Sequence, residues 1–149
     1  MIALIQRVLR CTVTVDGNPV SSIGRGMLIF LGVHGDDTER DLRALVRKCT
    51  GLRMFADDEG KMNRSLADIG GEVLVVSQFT LFGDVSRGMR PYFGQAAEPA
   101  KARSMYEAFM ESMGETGVTV RGGVFGAAMQ VELVNDGPVT IRIDSGDIA

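Results

Sequence analysis

An unbroken run of apolar residues, Val73–Val76, is the feature that most constrains how this chain can fold. β-branched and aliphatic side chains in such a series are typical of a strand that is buried in a core. Within the same stretch, EVLVVSQFTLFGD, the strand pattern gives way to two hydroxyls and an amide at Ser77, Gln78 and Thr80. A strand that ends in groups requiring hydrogen bonds either caps itself with them or presents them to a ligand.

Further strands are predicted on both sides of this run. Thr12–Val15 favour a strand, Asp16–Gly17 is a dipeptide typical of a tight hairpin turn, and Met27–Val33 form a second apolar strand. Near the C-terminal end, apolar and polar residues alternate on either side of Asn135–Pro138. This alternation predicts two strands that each have one face toward solvent or toward an interface.

Two helices are predicted between the strands. Thr38 suits the N-cap of the first, and Pro99 suits the start of the second, which Gly114 or Gly117 can end. In both segments the apolar residues recur at three- and four-residue steps, as they do on the buried face of a helix. These residues are Leu42, Leu45, Val46, Cys49 and Leu52 in the first, and Met105, Tyr106, Phe109, Met110 and Met113 in the second.

The order of these elements predicts an α/β protein. We expect residues 1–149 to form a single domain, in which a curved, barrel-like β-sheet carries two main helices packed on one side. The polar stretch ADDEGKMNRS, residues 56–65, reads as a turn and loop, and the glycine-containing stretch 83–99 reads as a longer loop.

Charge and cysteine usage argue against several classes of protein. A net charge of −3 favours neither a polybasic nucleic-acid binder nor an acidic disordered chain, so a polyanionic partner must meet a local basic patch. Cys11 and Cys49 form no C-x-x-C pair, which favours two buried, reduced thiols. No apolar run reaches the roughly 20 residues of a membrane helix, so we expect a cytoplasmic protein with no membrane partner.

The sequence lacks the usual catalytic motifs. His34 is the one histidine and follows an apolar strand, where a structural role is more common than a catalytic one. The glycines make neither a nucleophile elbow nor a nucleotide-binding loop. No H-E-x-x-H motif, EF-hand loop or Cys/His cluster offers metal ligands, so we expect neither a metal nor a cofactor. If the chain is an enzyme, it works without the usual general base.

Two short motifs remain as candidates for a site. In SQFTL, Ser77–Leu81, an extended chain would place Gln78 and Thr80 on one face, where they could hold a polar ligand. The residues alone favour the alternative, a strand end whose side chains satisfy local backbone groups. In NDGPVT, Asn135–Thr140, the first four residues suit a hairpin turn. A cis Gly137–Pro138 bond would instead aim consecutive carbonyls in a fixed direction.

Together, SQFTL and NDGPVT resemble the two signature motifs of the D-aminoacyl-tRNA deacylase family. The likeness extends over nearly the whole chain, through IQRV, VTVDG, SIGRG, EGKMN, RGMRPYF and VFGAAMQVELVNDGPVT. The resemblance implies a cytoplasmic homodimer that hydrolyses the ester joining a D-amino acid to tRNA, without a cofactor. Because glycine has no side chain to exclude, glycyl-tRNA mischarged on tRNA(Ala) is also an expected substrate.

The resemblance also assigns residues to an active site at the subunit interface. Ser77 would line the pocket for the terminal adenosine and the scissile ester, with Gln78, Phe79 and Thr80 as its catalytic part. Gly137 and Pro138, as a cis pair, would enter the partner's pocket, where their carbonyls read the α-amino group and exclude an L side chain. The remaining assignments are Phe125 for adenine recognition, Arg7 for orienting the Gly-Pro pair, and Ala96 and Met129 as pocket lining.

The resemblance to this family also explains how the chain could work without a histidine base. The resemblance implies RNA-assisted catalysis, in which the vicinal hydroxyl of the terminal ribose helps to position or activate water. Backbone donors near Phe79 and Thr80 would stabilise the developing negative charge. Two alternatives stay open: a hydrolase that uses Thr80 as a covalent nucleophile on a small ester, and a dimeric binding module without activity.

Several basic residues are candidates for contacts with RNA phosphates. The alternative for each of them is a solvated helix or loop face. The candidates are Arg40, Arg43, Arg47, Lys48 and Arg53 in one group, and Arg87, Arg90 and Arg103 in another. The loop after SQFTL departs from the family pattern at Gly83 and at Arg87, where the charge of a lysine is kept.

Overall fold

Eight strands and two helices follow one another in the computed structural model, which describes residues 1–148. The strands are β1 (Ile2–Val15), β2 (Asn18–Ile23), β3 (Gly26–Gly32), β4 (Phe55–Ala56), β5 (Met62–Arg64), β6 (Glu72–Ser77), β7 (Thr119–Gly122) and β8 (Gln130–Asp144). The helices are α1 (Glu39–Gly51) and α2 (Pro99–Gly114). Short 3₁₀ turns cover Ala67–Ile69, Phe79–Phe82 and Ser145–Asp147.

Six strands form one curved, nearly closed sheet. Its main path runs β2-β1-β3-β6-β7, and β8 pairs along the other edge of β1. The two ends of the path approach each other, because the hydroxyl of Ser21 on β2 donates to the carbonyl of Gly122 on β7 over 2.8 Å. The prediction of a barrel-like sheet is confirmed.

The first hairpin forms as predicted. Asp16 and Gly17 both have positive φ angles, 50° and 77°, which is the geometry of a two-residue turn that matches the twist of the flanking strands. The turn sets the register in which Val15 faces Asn18. The long β1 strand thereby pairs with β2 and β3 on one edge, and with β8 on the other.

Both helices cover the same side of the sheet, as predicted. Their buried residues include Leu45 and Cys49 from α1 and Phe109 from α2, and these pack with Ile5 and Val75 of the sheet. Thr38 and Pro99 mark the two helix starts, and Gly114 is the last residue of α2. Leu52 lies just beyond α1 and is half-buried, as Met105 and Met110 are on α2.

One prediction about loops and turns is correct only in part, and another is wrong. Residues 56–65 were expected to be a turn and loop; the turn forms at 58–60, but the residues around it pair as the small hairpin of β4 and β5, closed by a hydrogen bond from Asp57 N–H to the Lys61 carbonyl over 2.8 Å. The hairpin turn at Asn135–Pro138 does not form, and β8 continues through it as one strand. The reason is β1, whose 14 residues offer a pairing partner to both halves of β8.

Candidate active site

A cavity of about 510 Å³ opens between the end of β6, the start of α2 and the segment that joins β7 to β8. Among the described residues, its lining is mostly apolar and holds no charged side chain. Clefts of this size and character are typical binding sites for small molecules. Six residues that the family resemblance assigns to a pocket line this cavity, which we call the SQFTL cavity: Ser77, Gln78, Phe79, Ala96, Phe125 and Met129.

A second depression, of about 550 Å³, lies beside the start of α1. Carboxylates outnumber the cationic groups in its lining, which are Arg142 and the N-terminal ammonium of Met1. The carboxylates belong to Asp36, Asp37, Asp41, Asp84 and Asp144. Such a surface repels a polyanion, whereas the SQFTL cavity does not. The SQFTL cavity is therefore the better candidate for the site that the sequence motifs predict.

The SQFTL segment turns sharply where an extended chain was one expectation, and that expectation is wrong. β6 ends at Ser77, and residues Phe79–Phe82 form a 3₁₀ turn. The N–H of Gln78 donates to the carbonyl of Leu31 over 2.8 Å, so the turn is attached to the end of β3. The first N–H groups of a helical turn have no acceptor within it, which leaves those of Phe79 and Thr80 without a partner inside the turn.

The turn brings Gln78 and Thr80 together by a different route from the one predicted. The amide Nε2 of Gln78 donates to the hydroxyl Oγ1 of Thr80. Thr80 itself is exposed and does not belong to the lining of the SQFTL cavity. Phe79 does line it, although the residue remains 56% exposed, and its ring meets Phe93 edge to face at 5.1 Å between centroids.

Phe125 forms another part of the cavity wall. Its ring lies 5.9 Å from that of Tyr106 on α2, centroid to centroid, and the guanidinium carbon of Arg103 lies 5.2 Å from the Phe125 centroid. The hydroxyl of Tyr106 donates to the carbonyl of Val75 over 2.8 Å. Burial raises the pKa of Tyr106 to about 12, so the hydroxyl keeps its proton at physiological pH.

Ala96 reaches the cavity because its segment is attached to the end of β3. The N–H of Gly35 donates to the Gln95 carbonyl over 3.0 Å, and the N–H of Ala97 donates to the Val33 carbonyl over 2.9 Å. His34 lies between these two contacts, with its ring 5.6 Å from that of Phe82. It does not line the SQFTL cavity, which is consistent with the structural role expected for it.

Gly137 and Pro138 do not line the SQFTL cavity of their own chain. They lie at the exposed tip of a bulge in β8, and the peptide bond between them is cis. The bulge exists because β1 advances two residues, from Gln6 to Val8, while β8 passes from Thr140 to Asn135. Arg7, at the centre of that interval, contacts the bulge through its side chain.

Asn135 is a residue of this bulge that the sequence interpretation missed. Its side-chain Oδ1 accepts the N–H of Val139 over 2.7 Å, and its Nδ2 donates to the Val139 carbonyl over 3.2 Å. These two bonds close the neck of the bulge and fix where Gly137 and Pro138 project. The signal was available, because an Asn side chain often replaces a backbone partner close to itself in the chain.

The start of α2 also contributes to the cavity in a way that the sequence did not reveal. Ala97, Pro99 and Ala102 add small apolar surface to the lining. The sequence predicted the helix start at Pro99, but only the fold shows that this start lies beside the end of β6. The described residues hold no group of three or more His, Cys, Asp or Glu side chains that could bind a metal. No helix among them has the length and apolar character needed to cross a membrane.

Comparison with known proteins connects this arrangement to one family. The sequence model of the family described as D-Tyr-tRNA(Tyr) deacylase matches residues 4–144. A D-aminoacyl-tRNA deacylase from Roseiflexus castenholzii is 57% identical over 145 residues, which are 97% of this chain and 92% of the relative. A D-aminoacyl-tRNA deacylase from Thermotoga petrophila is 53% identical over 148 residues, which are 99% of each chain.

Solved structures give the same picture of the fold. A protein titled c-Myc DNA Unwinding Element Binding Protein superimposes with a TM-score of 0.91 at 42% identity, over 97% of this chain and 98% of that one. A probable eukaryotic D-amino acid tRNA deacylase superimposes with a TM-score of 0.83 at 20% identity, over 96% of this chain and 98% of that one. The second likeness concerns the fold alone.

Proposed function

The chain belongs to the D-Tyr-tRNA(Tyr) deacylase family, and from this premise we propose that it hydrolyses the ester bond of D-aminoacyl-tRNA. In this reaction the oxygen of water attacks the ester carbonyl carbon, and the bond from that carbon to the ribose oxygen breaks. The products are a free D-amino acid and a tRNA with its terminal hydroxyl restored. The enzyme is therefore a hydrolase that acts on a carboxylic ester.

The observation that carries this proposal is which residues line the SQFTL cavity. Six residues that the family assigns to its pocket come from three separate segments of the chain and line one space. A volume of about 510 Å³ is in the range of small-molecule sites, and a nucleoside with an attached amino acid is a ligand of that class. Ser77 and Gln78 supply polar groups in a lining that is otherwise mostly apolar.

The proposed mechanism uses orientation and backbone donors. With no histidine in the cavity, the vicinal hydroxyl of the substrate's own ribose helps to position the attacking water. Orientation of this kind accounts for about 7–11 kcal/mol of a barrier in favourable cases. We propose that the N–H groups of Phe79 and Thr80, at the start of the 3₁₀ turn, stabilise the oxyanion, and one such donor contributes about 3 kcal/mol in comparable enzymes.

Chiral selection is proposed to come from a second copy of the chain. Gly137 and Pro138 are exposed and lie outside the lining of their own cavity, so in a homodimer they are free to enter the cavity of the partner. Main-chain atoms cannot retreat by a change of rotamer, so an L side chain collides with them while a D side chain points away. Glycine carries no side chain to collide, which makes glycyl-tRNA(Ala) a further proposed substrate. We place the enzyme in the cytoplasm, where its substrates are made.

A covalent mechanism through Thr80 is less well supported. Among the described residues, the Oγ1 of Thr80 has one recorded side-chain partner, the amide of Gln78, and an amide cannot accept its proton. The alternative of a binding module without activity makes no use of the backbone donors of Phe79 and Thr80, which have no acceptor within the 3₁₀ turn. Each of these alternatives predicts its own result in the deacylation assay described next.

The test is a deacylation assay with tRNA(Tyr) charged with D-tyrosine or with L-tyrosine. We expect the D ester to be cleared by catalytic amounts of enzyme, while the L ester survives an excess of enzyme. Glycyl-tRNA(Ala) is expected to be cleared as well. In Thr80→Ala most of the activity should remain, and a complete loss in a folded variant would favour the nucleophile. Equal hydrolysis of both stereoisomers would refute the chiral model, and no turnover of either would favour a binding module.

A mixing experiment tests whether the site is shared between subunits. Gln78→Ala damages the cavity. Gly137→Ala displaces the Gly-Pro corner, as we call Gly137 and Pro138, because Gly137 has a φ of 146° and a Cβ on it would lie 2.7 Å from Val139 Cγ2. Each variant alone should be nearly inactive. In a mixed dimer one of the two sites has both an intact cavity and an intact Gly137–Pro138 pair from the other subunit. Because random subunit exchange makes about half of the dimers mixed, about a quarter of wild-type activity should return. No recovery in verified mixed dimers would show that the corner serves its own chain.

A further inference from the structure

The guanidinium of Arg103 lies beside the wall of the SQFTL cavity. Arg103 lies on the exposed side of α2, and its guanidinium carbon is 5.2 Å from the centre of the Phe125 ring, which lines the cavity. Tyr106, one turn further along α2, supports the same ring at 5.9 Å between centroids. Phe125 therefore lines the cavity and also contacts α2, with a positive charge beside it.

This charge is not used elsewhere in the described chain. None of the ion pairs among residues 1–148 involves Arg103, and Glu107, the next acidic residue along α2, lies beyond 4.0 Å of it. Lys101 on the same helix differs, because its ammonium donates to the carbonyl of Gly35 over 2.5 Å. Glu98, just before α2, is the acidic group at this end of the helix.

The cavity itself offers nothing to neutralise a phosphate. Its described lining residues are uncharged, and the whole chain carries a net charge of −3. A nucleic acid that places its last nucleoside in the cavity must leave the adjoining phosphodiester at the rim, one ribose away from the base. A guanidinium beside Phe125, the residue that the family resemblance assigns to adenine recognition, is well placed for that phosphate, and arginine suits it because it can bind with two N–H groups at once.

We propose that Arg103 binds the phosphodiester that joins the terminal nucleoside of the RNA substrate to the rest of the chain. The proposal rests on the function proposed above and adds to it a named contact outside the cavity. Arg103 is a binding residue in this role and takes no part in the chemical step. The cation–π contact with the Phe125 ring, at 5.2 Å, favours a position of the guanidinium beside the cavity.

The experiment compares Arg103→Ala with the wild type on two substrates, D-tyrosyl-tRNA(Tyr) and D-tyrosyl-adenosine, which has no phosphodiester. With the tRNA, KM should rise about 5- to 20-fold, and the slope of log KM against log salt should fall by about 0.7, as for one lost contact to a single strand. With the adenosine ester, kcat/KM should stay within about twofold. Arg103→Lys should keep most of the salt slope, because it keeps the charge.

A matched control is Arg25→Ala, which removes another exposed arginine that lies over a phenylalanine ring, 5.9 Å from the centre of Phe55, away from the cavity lining. It should behave as the wild type on both substrates. Equal losses on both substrates in Arg103→Ala would overturn the proposal, since they would mean that Arg103 only supports Phe125. An unchanged salt slope would also overturn it.

Binding of a short CCA-ended RNA that carries D-tyrosine through a 3′-amide gives a readout that does not depend on hydrolysis. Arg103→Ala should weaken this binding by the same factor of about 5 to 20 at low salt. A wild type that binds this RNA but hydrolyses neither ester would refute the proposed function, while the effect of Arg103 would still be measured. Equal affinity of the wild type and Arg103→Ala would refute the phosphate contact alone.

Discussion

Arg7 and Asp136 join the first strand of the sheet to the bulge in the last one. The Nε–H of Arg7 donates to the main-chain carbonyl of Asp136 over 2.8 Å, and Nε also lies 3.6 Å from the Asp136 carboxylate. The same guanidinium donates through Nη1 to the carbonyl of Met54 over 2.7 Å. With 14% of its side chain exposed, Arg7 makes these contacts largely out of water. It therefore fixes the base of the segment that carries Gly137.

Removal of the Arg7 side chain should affect both stability and activity. In Arg7→Ala two carbonyls lose charged donors, and we expect the free energy of unfolding to fall by about 2–3 kcal/mol. Because the Gly137–Pro138 corner loses its support, kcat/KM for D-aminoacyl-tRNA should fall more than about tenfold. Arg7→Lys should lie between, since one ammonium cannot reach both carbonyls in the same geometry.

Urea unfolding and deacylation kinetics measure these two effects separately. Arg10→Ala is the control, because Arg10 is an exposed arginine on the same strand. It should lose less than about 0.5 kcal/mol and keep its activity. If Arg7→Ala were destabilised but fully active in its folded fraction, the prediction that Arg7 supports the Gly137–Pro138 corner would be wrong.

Gly32 controls how closely the SQFTL turn approaches β3. A Cβ at this position would lie 2.9 Å from Cε2 of Phe82 and 3.2 Å from the carbonyl oxygen of Gln78. Phe82 can rotate away, but the backbone at Gln78 must shift, and with it the N–H groups of Phe79 and Thr80. We expect Gly32→Ala to lower kcat about tenfold while it costs only about 1–2 kcal/mol of stability.

Gly35→Ala is the matched control for this substitution. It lies at the same junction between β3 and α1, but its Cβ would meet only the Gln95 carbonyl, at an ordinary 3.9 Å. Single-turnover deacylation should show wild-type rates for Gly35→Ala and slow rates for Gly32→Ala. Wild-type rates in both variants would indicate that the turn does not place the oxyanion donors.

Local sequence signals predicted the parts of the fold that local chemistry decides. Asp16–Gly17 form the first turn, and Thr38 and Pro99 mark the helix starts, because caps and turns depend on a few neighbouring residues. The apolar stripes predicted which helix faces are buried, with Leu45 and Phe109 fully so. The motif likeness assigned six residues that the structure gathers around one cavity, although it said nothing of their distances.

The parts that could not be predicted depend on partners that are distant in sequence. The SQFTL segment turns because Gln78 bonds to Leu31 and because Gly32 leaves room for Phe82. The expected C-terminal hairpin is a bulged single strand because β1 is long enough to pair with both of its halves. The position of Arg103 over Phe125 likewise requires α2 and the segment after β7 to be placed together.

Both cysteines should be unreactive in the folded protein. Cys11 and Cys49 are fully buried, and this burial raises the pKa of Cys11 to about 11 and that of Cys49 to about 12. Because the thiolate is the reactive form, neither should react with Ellman's reagent at pH 8 within the time in which a free thiol reacts completely. Both should react after addition of denaturant. A thiol that reacted quickly in the native protein would show that its part of the core opens readily.

Asp41 should make a distinct contribution to acid unfolding. Its Oδ2 accepts the backbone N–H of Thr38 over 2.9 Å and the Thr38 hydroxyl over 2.8 Å, and its Oδ1 accepts the hydroxyl of Ser145 over 2.9 Å. The hydrogen bond from the Thr38 backbone is the main reason why the pKa of Asp41 falls from 3.8 to about 2. The folded state therefore binds this proton less readily than the unfolded state does.

The sign of the pH dependence follows from that difference. Stability from Asp41 is fully present above about pH 4, where the carboxyl is ionised in both states, and it is lost as the pH falls toward about 2. Allowing for its partial exposure to solvent, we expect about 1–2 kcal/mol to be lost over this interval.

In Asp41→Asn that loss should already be present at pH 7, and the curve of unfolding free energy should be flatter between about pH 4 and pH 2. Glu39→Gln, in the same helical turn but exposed and paired with Arg43, should keep the wild-type slope in urea titrations across this range. Parallel curves for Asp41→Asn and the wild type would show that another carboxyl governs the acid transition.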